Sequence, residues 1–228
     1  MYLLYYNMEL TMNISDNTLS VLKNFSGINQ NLAVKSGNRI RTISPQKTVM
    51  AVAQVEDKFD QDFAIYDLNQ FLSAVSLFEK PEFIFEDSNV VVANGKSSIR
   101  YFYADETMVM TAPDRDIELP DTLVEFKLTT DAFKSTMQAA SVLQAPNWSV
   151  VGNGTIIEIV VGDVKNDTSN DYRLKVGETS EEFKVTFKVD NLKMMQRDYT
   201  VAISSKGISH FTTEKGDLSY FVATESAA

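Results

Sequence analysis

Residues 63–78, FAIYDLNQFLSAVSLF, decide the fold. Up to Asp67 a short apolar run reads as a strand, and beyond it Leu68, Phe71, Leu72, Val75 and Phe78 recur at steps of three and four, which is one buried helical face. A strand therefore feeds a helix, with Asp67 at the break. The opposite strip of that helix carries Asn69, Ser73, Ser76 and Lys80. No carboxylate lies on it, although the chain has a formal charge of −10.

Upstream, residues 8–14 alternate as a strand, and Ser15-Asp16-Asn17-Thr18 offers caps for a helix over residues 19–29, with Leu19, Leu22, Phe25 and Ile28 inward and Ser20, Lys23, Asn24 and Gly27 outward. Between the two helices, LAVKSG, NRIRTIS and TVMAVAQV read as antiparallel strands parted by turns. Downstream, EFIFED, VVVAN and SSIRYFYA continue the sheet, and Asn94-Gly95 marks a tight hairpin. Residues 104–121 break the pattern with prolines and acids around a short apolar island, Met108-Val109-Met110, and read as a connector.

The second half repeats this plan. A strand over residues 124–128 leads to Thr130-Asp131 as caps of a helix with Phe133, Thr136, Met137 and Ala140 inward and Lys134, Gln138 and Ser141 outward. After further strands, TFKVDNLKMM repeats the strand, aspartate and helix of FAIYDLNQFL. A fourth helix is expected there, with Leu192 and Met195 inward and Lys193, Gln196 and Arg197 outward. The repeat is far longer than a solenoid unit, so it signals a duplicated domain. The expected organisation is an extra segment 1–11, a domain 12–103, a connector 104–121 and a second domain 122–228. The fold class is α+β, each domain holding two helices packed on antiparallel sheets.

At 228 residues the chain has room for two ordinary domains. The absence of cysteine excludes disulfides, zinc–thiolate sites and cysteine nucleophiles, and one histidine, His210, cannot make a two-histidine metal site. No metal and no cofactor is expected. Residues 1–11 have neither the basic start nor the apolar length of a signal peptide or membrane span, so a cytosolic protein without membrane contact is expected. The acid-rich run 56–62, EDKFDQD, lacks calcium-loop spacing and its glycine and reads as a solvated loop. Gly152-x-Gly154 lacks the third glycine of a phosphate cradle, His210 sits in a strand away from any nucleophile motif, and Trp148 reads as packing. Catalysis finds no support in these residues.

The four outward strips share one character. Ser20, Lys23, Asn24 and Gly27; Asn69, Ser73, Ser76 and Lys80; Lys134, Gln138 and Ser141; and Lys193, Gln196 and Arg197 contain no acid. For a single helix this is an ordinary solvated face; four alike in an acidic chain imply one mildly basic surface suited to sequence-blind contact with phosphates. No recognition-helix motif points to base readout.

Val21-Leu22-Lys23-Asn24-Phe25, Ile28-Asn29, Leu32-Ala33-Val34-Lys35-Ser36-Gly37 and the run AIYDLNQFL over residues 64–72 resemble the sliding clamps of T-even type bacteriophages. The similarity extends from about Met12 to Thr224 and is strongest in the first half. It implies a homotrimeric ring of six similar domains, with twelve helices lining a hole for duplex DNA and sheets outside. Such clamps tether the replicative DNA polymerase, are loaded by an ATP-dependent clamp loader, support late transcription through RNA polymerase-associated factors, and catalyse nothing. The cytoplasm of an infected bacterial host is the implied location. The resemblance places Lys23, Asn24, Asn69, Ser73, Lys80, Lys134, Gln138, Lys193, Gln196 and Arg197 toward DNA. It places a partner-peptide pocket at Met108, Val109 and Met110 and at Tyr220, Phe221 and Val222. Family members begin near Met12, which leaves residues 1–11 as a real extension or a misassigned start, with Met8 and Met12 as alternative starts. The competing readings are a non-catalytic β-rich phage structural ring of the tail-tube kind and, more remotely, a carbohydrate-binding β-protein.

Overall fold

The computed structural model describes residues 11–225, so residues 1–10 of the extra amino-terminal segment, and with them the first part of the strand expected over 8–14, lie outside the described residues. The chain divides into two compact units, one holding the described residues up to Thr42 with Val55–Thr111, the other Ile43–Gln54 with Ala112 onward. Contiguous domains 12–103 and 122–228 do not anticipate the excursion of Ile43–Gln54, whose reason is given below.

The first unit runs β1 (Thr11–Met12), α1 (Asp16–Ser26), β2 (Leu32–Val34), β3 (Gly37–Ile43), the end of β4 (Val49–Phe59), β5 (Phe63–Ile65), α2 (Leu68–Val75), β6 (Glu82–Phe85), β7 (Asn89–Asn94) and β8 (Ser97–Phe102). An antiparallel sheet has the order β1-β6-β7-β8, and β2 pairs with β5. The α1 start is fixed by Ser15, whose Oγ accepts from Thr18 N at 3.2 Å while its own N–H and hydroxyl donate to Asp57 at 2.9 and 2.8 Å. The run 56–62 is therefore not a plain solvated loop: Glu56 to Phe59 continue β4, and Asp57 anchors a helix cap. Asp67 caps α2, accepting from Gln70 N at 2.9 Å. Val21, Leu22, Phe25, Leu68, Phe71 and Val75 bury the inner faces of both helices. Burial of each such side chain contributes roughly 1.5–3 kcal/mol. Gly95, at φ 58°, supplies the left-handed residue that the Asn94-Gly95 hairpin requires.

The second unit runs from the start of β4 to β9 (Val124–Leu128), α3 (Thr130–Leu143), β10 (Asn147–Asn153), β11 (Ile156–Gly162), β12 (Tyr172–Glu178), β13 (Glu182–Lys188), β14 (Tyr199–Ile203), β15 (Ile208–Thr212) and β16 (Leu218–Ala223). One sheet has the order β12-β11-β10-β13. In the other, β16 pairs antiparallel with β15, β15 with β14 and β14 with β9, and Val49–Ala53 of β4 complete it by pairing with β16. That pairing is why Ile43–Gln54 belongs here. An aromatic chain fills the core: Trp148, Phe187, Phe211, Tyr199 and Phe133 follow one another edge to face at 5.6 to 6.3 Å. Trp148 is fully buried, as a packing residue should be.

The fourth helix is absent. After β13 the chain makes one 3₁₀ turn, Val189–Asn191, and then runs without regular structure to β14, so the described residues hold three α-helices and not two per domain. Burial shows why. Leu192 and Met194 are buried and Lys193 lies between them exposed, which is extended alternation, and Met195 is only half-buried. Met195 N donates to the Tyr220 hydroxyl at 3.2 Å, and its carbonyl accepts from the Tyr199 hydroxyl. Core tyrosines thus satisfy the backbone groups that a helix would pair internally, and the segment is too short to repay helix nucleation. At α3, the capping side chain is Thr129, accepting from Ala132 N at 3.2 Å; Thr130 N and Oγ1 donate to Asp198 at 2.6 and 2.7 Å.

Candidate nucleic-acid and partner interfaces

The residues expected to face DNA fall into two groups. Lys23 on α1, Asn69 and Ser73 on α2, and Lys134 and Gln138 on α3 are exposed on helices, while Asn24 on α1 is half-buried. Lys80, Lys193, Gln196 and Arg197 are exposed but not helical. Helix α2 ends at Val75 with Ser76 as its carboxy-terminal cap, and Lys80 sits beyond it with a left-handed φ of 58°. The predicted strip therefore keeps Asn69, Ser73 and Ser76 and loses Lys80. Ser73 Oγ donates to Asn69 O at 2.8 Å and Ser76 Oγ to Ser73 O at 2.7 Å, so both hydroxyls spend their proton on the helix and offer lone pairs outward. Beyond their first turns, α1, α2 and α3 carry no acidic residue at all. Asp16 and Asp131 stand in the first turns of α1 and α3, where a carboxylate suits the helix dipole.

Several acids elsewhere are engaged. Lys35 lies 3.1 Å from Asp62 and 2.6 Å from Glu106 in the first unit; those hydrogen bonds raise the lysine pKa, and the Ser36 N–H with Lys35 lowers that of Asp62. Ser204 and Ser205 hold the carboxyl of Asp121 below its usual range, and Thr130 does the same for Asp198. Sequence periodicity could not reveal these partners, because each pair joins residues distant in the chain.

The residues expected to form the peptide pocket differ in exposure. In the first unit, Glu106–Met108 forms a 3₁₀ turn, Met108 is exposed, Val109 is buried, and Met110 N donates to Asn31 Oδ1 at 2.9 Å. In the second unit, Tyr220 and Val222 are fully buried on the core face of β16, so neither can meet a partner. Phe221 points to the opposite face. There it packs with Met50 and Val52 of β4, and the partly buried Ile43, Ala112, Ile117 and Ile208 close around them. Ala112 and Ile117 bring the connector to this face.

His210 extends this face. Its ring stacks on Phe221 with centroids 4.4 Å apart and planes 1° apart, and strand register sets Glu125, Ala202, His210, Phe221 and Met50 in one transverse row. Burial lowers the histidine pKa, which keeps the ring neutral near pH 7. Among the described residues no group of acids and histidines could hold a metal ion, and no described helix is long and apolar enough to cross a membrane.

Two helix-bearing units built on antiparallel sheets, with helix surfaces cleared of carboxylates, define the class of DNA polymerase processivity factors that act as sliding clamps. Residues 15–111 match the family model for the DNA polymerase processivity factor, and residues 125–226 match that for the gp45 sliding clamp, C terminal. The chain belongs to the phage sliding-clamp family. It is 34% identical over 223 residues to the sliding clamp of Vibrio phage KVP40, covering 94% of this chain and all of that one. With the sliding clamp of Enterobacteria phage T4 it shares 30% identity over 223 residues, covering 94% of this chain and 97% of that one. Solved structures share the fold at lower identity. A PCNA from A. fulgidus, bound to a C-terminal region of FEN-1, superposes with TM-score 0.70 at 15% identity, covering 96% of this chain and 98% of that one. A Helicobacter pylori beta clamp gives 0.69 at 12%, covering 96% and 66%.

Proposed function

We propose that three copies of the chain close into a ring around duplex DNA, that α1, α2 and α3 face the hole, and that the ring tethers the replicative polymerase without catalysing any step. The observation that carries this is the clearing of carboxylates from the helices beyond their first turns in a chain of charge −10. Lys23 and Lys134 supply attraction to phosphates, and Asn24, Asn69, Ser73 and Gln138 add hydrogen bonds directly or through water. Lys80, Lys193, Gln196 and Arg197 act from loops beside the helices. With three α-helices among the described residues, a ring of three copies draws nine from them and not twelve, the stretch after Asn191 standing where a fourth is expected. The phage relatives, both named sliding clamps, support this reading. An ATP-dependent loader opens the ring, RNA polymerase-associated factors use it in late transcription, and the cytoplasm of the infected bacterium is where it works.

The partner segment of the polymerase docks on the sheet face of the second unit that carries Phe221, over the partly buried connector residues Ala112 and Ile117. Primer extension on a long single-stranded circle tests the whole reading: adding the protein with its cognate polymerase and loader lengthens the products, and unchanged product length overturns it. The family match disfavours the tail-tube and carbohydrate-binding alternatives.

A further inference from the structure

The chain holds two Asn-Gly pairs, Asn94-Gly95 between β7 and β8 and Asn153-Gly154 between β10 and β11, and both are exposed at hairpin turns. They differ in what the asparagine side chain and the glycine nitrogen are doing. Gly154 N donates to the Glu181 carbonyl at 3.1 Å, and Asn153 Oδ1 accepts from Thr155 N at 3.1 Å and Ile156 N at 3.0 Å. Both groups that must meet for the pair to react are thus tied elsewhere. Gly95 N has no hydrogen-bond partner among the described residues, and no atom lies within 4 Å of the place a Cβ would take on Gly95. The Asn94 side chain makes one bond among these residues, from Nδ2 to the Glu79 carbonyl, which leaves its own carbonyl uncommitted.

We infer that Asn94 is a site of spontaneous deamidation in the folded protein, and that Asn153 is protected although its neighbour in sequence is the same. A base removes the proton of Gly95 N, the nitrogen attacks Asn94 Cγ, and the Cγ–Nδ2 bond breaks with departure of ammonia, which takes up the proton. Water then opens the cyclic imide at either carbonyl and leaves an aspartate or an isoaspartate; amide and water have become carboxylic acid and ammonia, and nothing else is consumed. Glycine suits the step because no side chain crowds its nitrogen. At Gly154 the same attack first needs a hydrogen bond broken, which slows it roughly tenfold for one bond of typical strength. The modification sets a carboxylate against the Glu79 carbonyl in place of the donating amide, and the next residue is Lys80, held at a φ of 58°. An isoaspartate also lengthens the backbone at the Asn94–Ser97 pair that closes the hairpin. On the reading of Lys80 as a DNA contact, given above, the new negative charge weakens the pull of that loop on phosphates.

The test is peptide mapping by mass spectrometry of the full-length protein incubated in mildly alkaline buffer, folded and in urea, with conversion followed separately at Asn94 and Asn153. In the folded protein Asn94 is expected to convert faster than Asn153 by roughly tenfold or more, and in urea the two are expected to convert within about twofold of each other, since only the fold distinguishes them. Equal rates in the folded protein, or a faster Asn153, overturn the inference. So does a difference of that size that persists in urea, which would place its cause in the local sequence. The consequence for DNA is read on Asn94→Asp, which is expected to be retained on nicked circular DNA roughly two- to fivefold less than the parent at low salt and equal melting temperature. Retention equal to the parent overturns that consequence and leaves the modification site standing, whereas a parent that is not itself retained overturns the ring reading and not the chemistry.

Discussion

Asp198 shows how one carboxylate can join segments that the sequence keeps apart. It accepts from both the N–H and the hydroxyl of Thr130, at 2.6 and 2.7 Å, and these bonds depress its pKa. A depressed carboxylate contributes stability above its ordinary value near 3.8 and loses it as pH falls through the folded value. His210 is also depressed, by burial; for a base, that contribution is complete above 6.5 and is lost as pH falls from 6.5 toward the folded value. Acid unfolding should therefore begin in two stages, the histidine first and the carboxylates Asp62, Asp121 and Asp198 later. In a denaturant series from pH 8 to pH 3, His210→Phe is expected to flatten the slope just below pH 6.5 and leave the later fall unchanged. A slope identical to the parent would show that the ring does not titrate differently on unfolding. Gly152 carries a second prediction at this scale. A Cβ there would stand 2.4 Å from the Phe183 ring and 2.7 Å from the Glu181 carbonyl, so Gly152→Ala is expected to destabilise by about 1–3 kcal/mol in urea titration.

At the scale of elements, periodicity was a sound guide wherever one face packs on a sheet and capping is local. The helix after Asp67 needed only its apolar spacing and its aspartate to be read, and α1 and α3 likewise, although Thr129 and not Thr130 proved to be the α3 cap. Two errors share one cause. Lys80 was read on a helix that closes at Val75, and a helix was read after Asp190, because both extrapolations ignored where backbone groups find partners. Past Asn191 those partners are the hydroxyls of Tyr199 and Tyr220, residues that no local window contains. The pocket expectation meets the same limit within β16. Three consecutive residues of a strand, Tyr220 to Val222, cannot share a face, and alternation alone marks Phe221 as the outlier. What sequence could not reveal is that Ala112 and Ile117 pack against the Phe221 cluster. The caps carry the prediction here: Thr129→Ala is expected to lower stability by about 1 kcal/mol through loss of the Ala132 N–H partner, measured by chemical denaturation.

For the molecule as a whole, net charge and local charge act in opposite senses. A chain of −10 repels duplex DNA at long range, and the proposed ring of three would repel it more strongly. Screening cuts exposed charges off beyond about 10 Å at 0.1 M salt, so a duplex already held inside the ring responds chiefly to the surface it touches. Topology, not affinity, then keeps the clamp on DNA, and few cations suffice. Lys23 on α1 and Lys134 on α3 are exposed and stand on strips without acids beyond the first turn, so reversing both puts four negative charge units of change per chain near the phosphates. Lys23→Glu with Lys134→Glu is expected to leave unfolding within about 0.5 kcal/mol of the parent, since both are surface positions. Trimer formation in sedimentation should also persist, because neither side chain is part of a buried cluster. Retention on nicked circular DNA should fall severalfold at low salt, and the difference from the parent should shrink as salt rises and screens both proteins alike. Equal retention at every salt concentration would show that these lysines face away from the duplex, and would move the DNA contact to the loops that carry Lys80, Lys193 and Arg197.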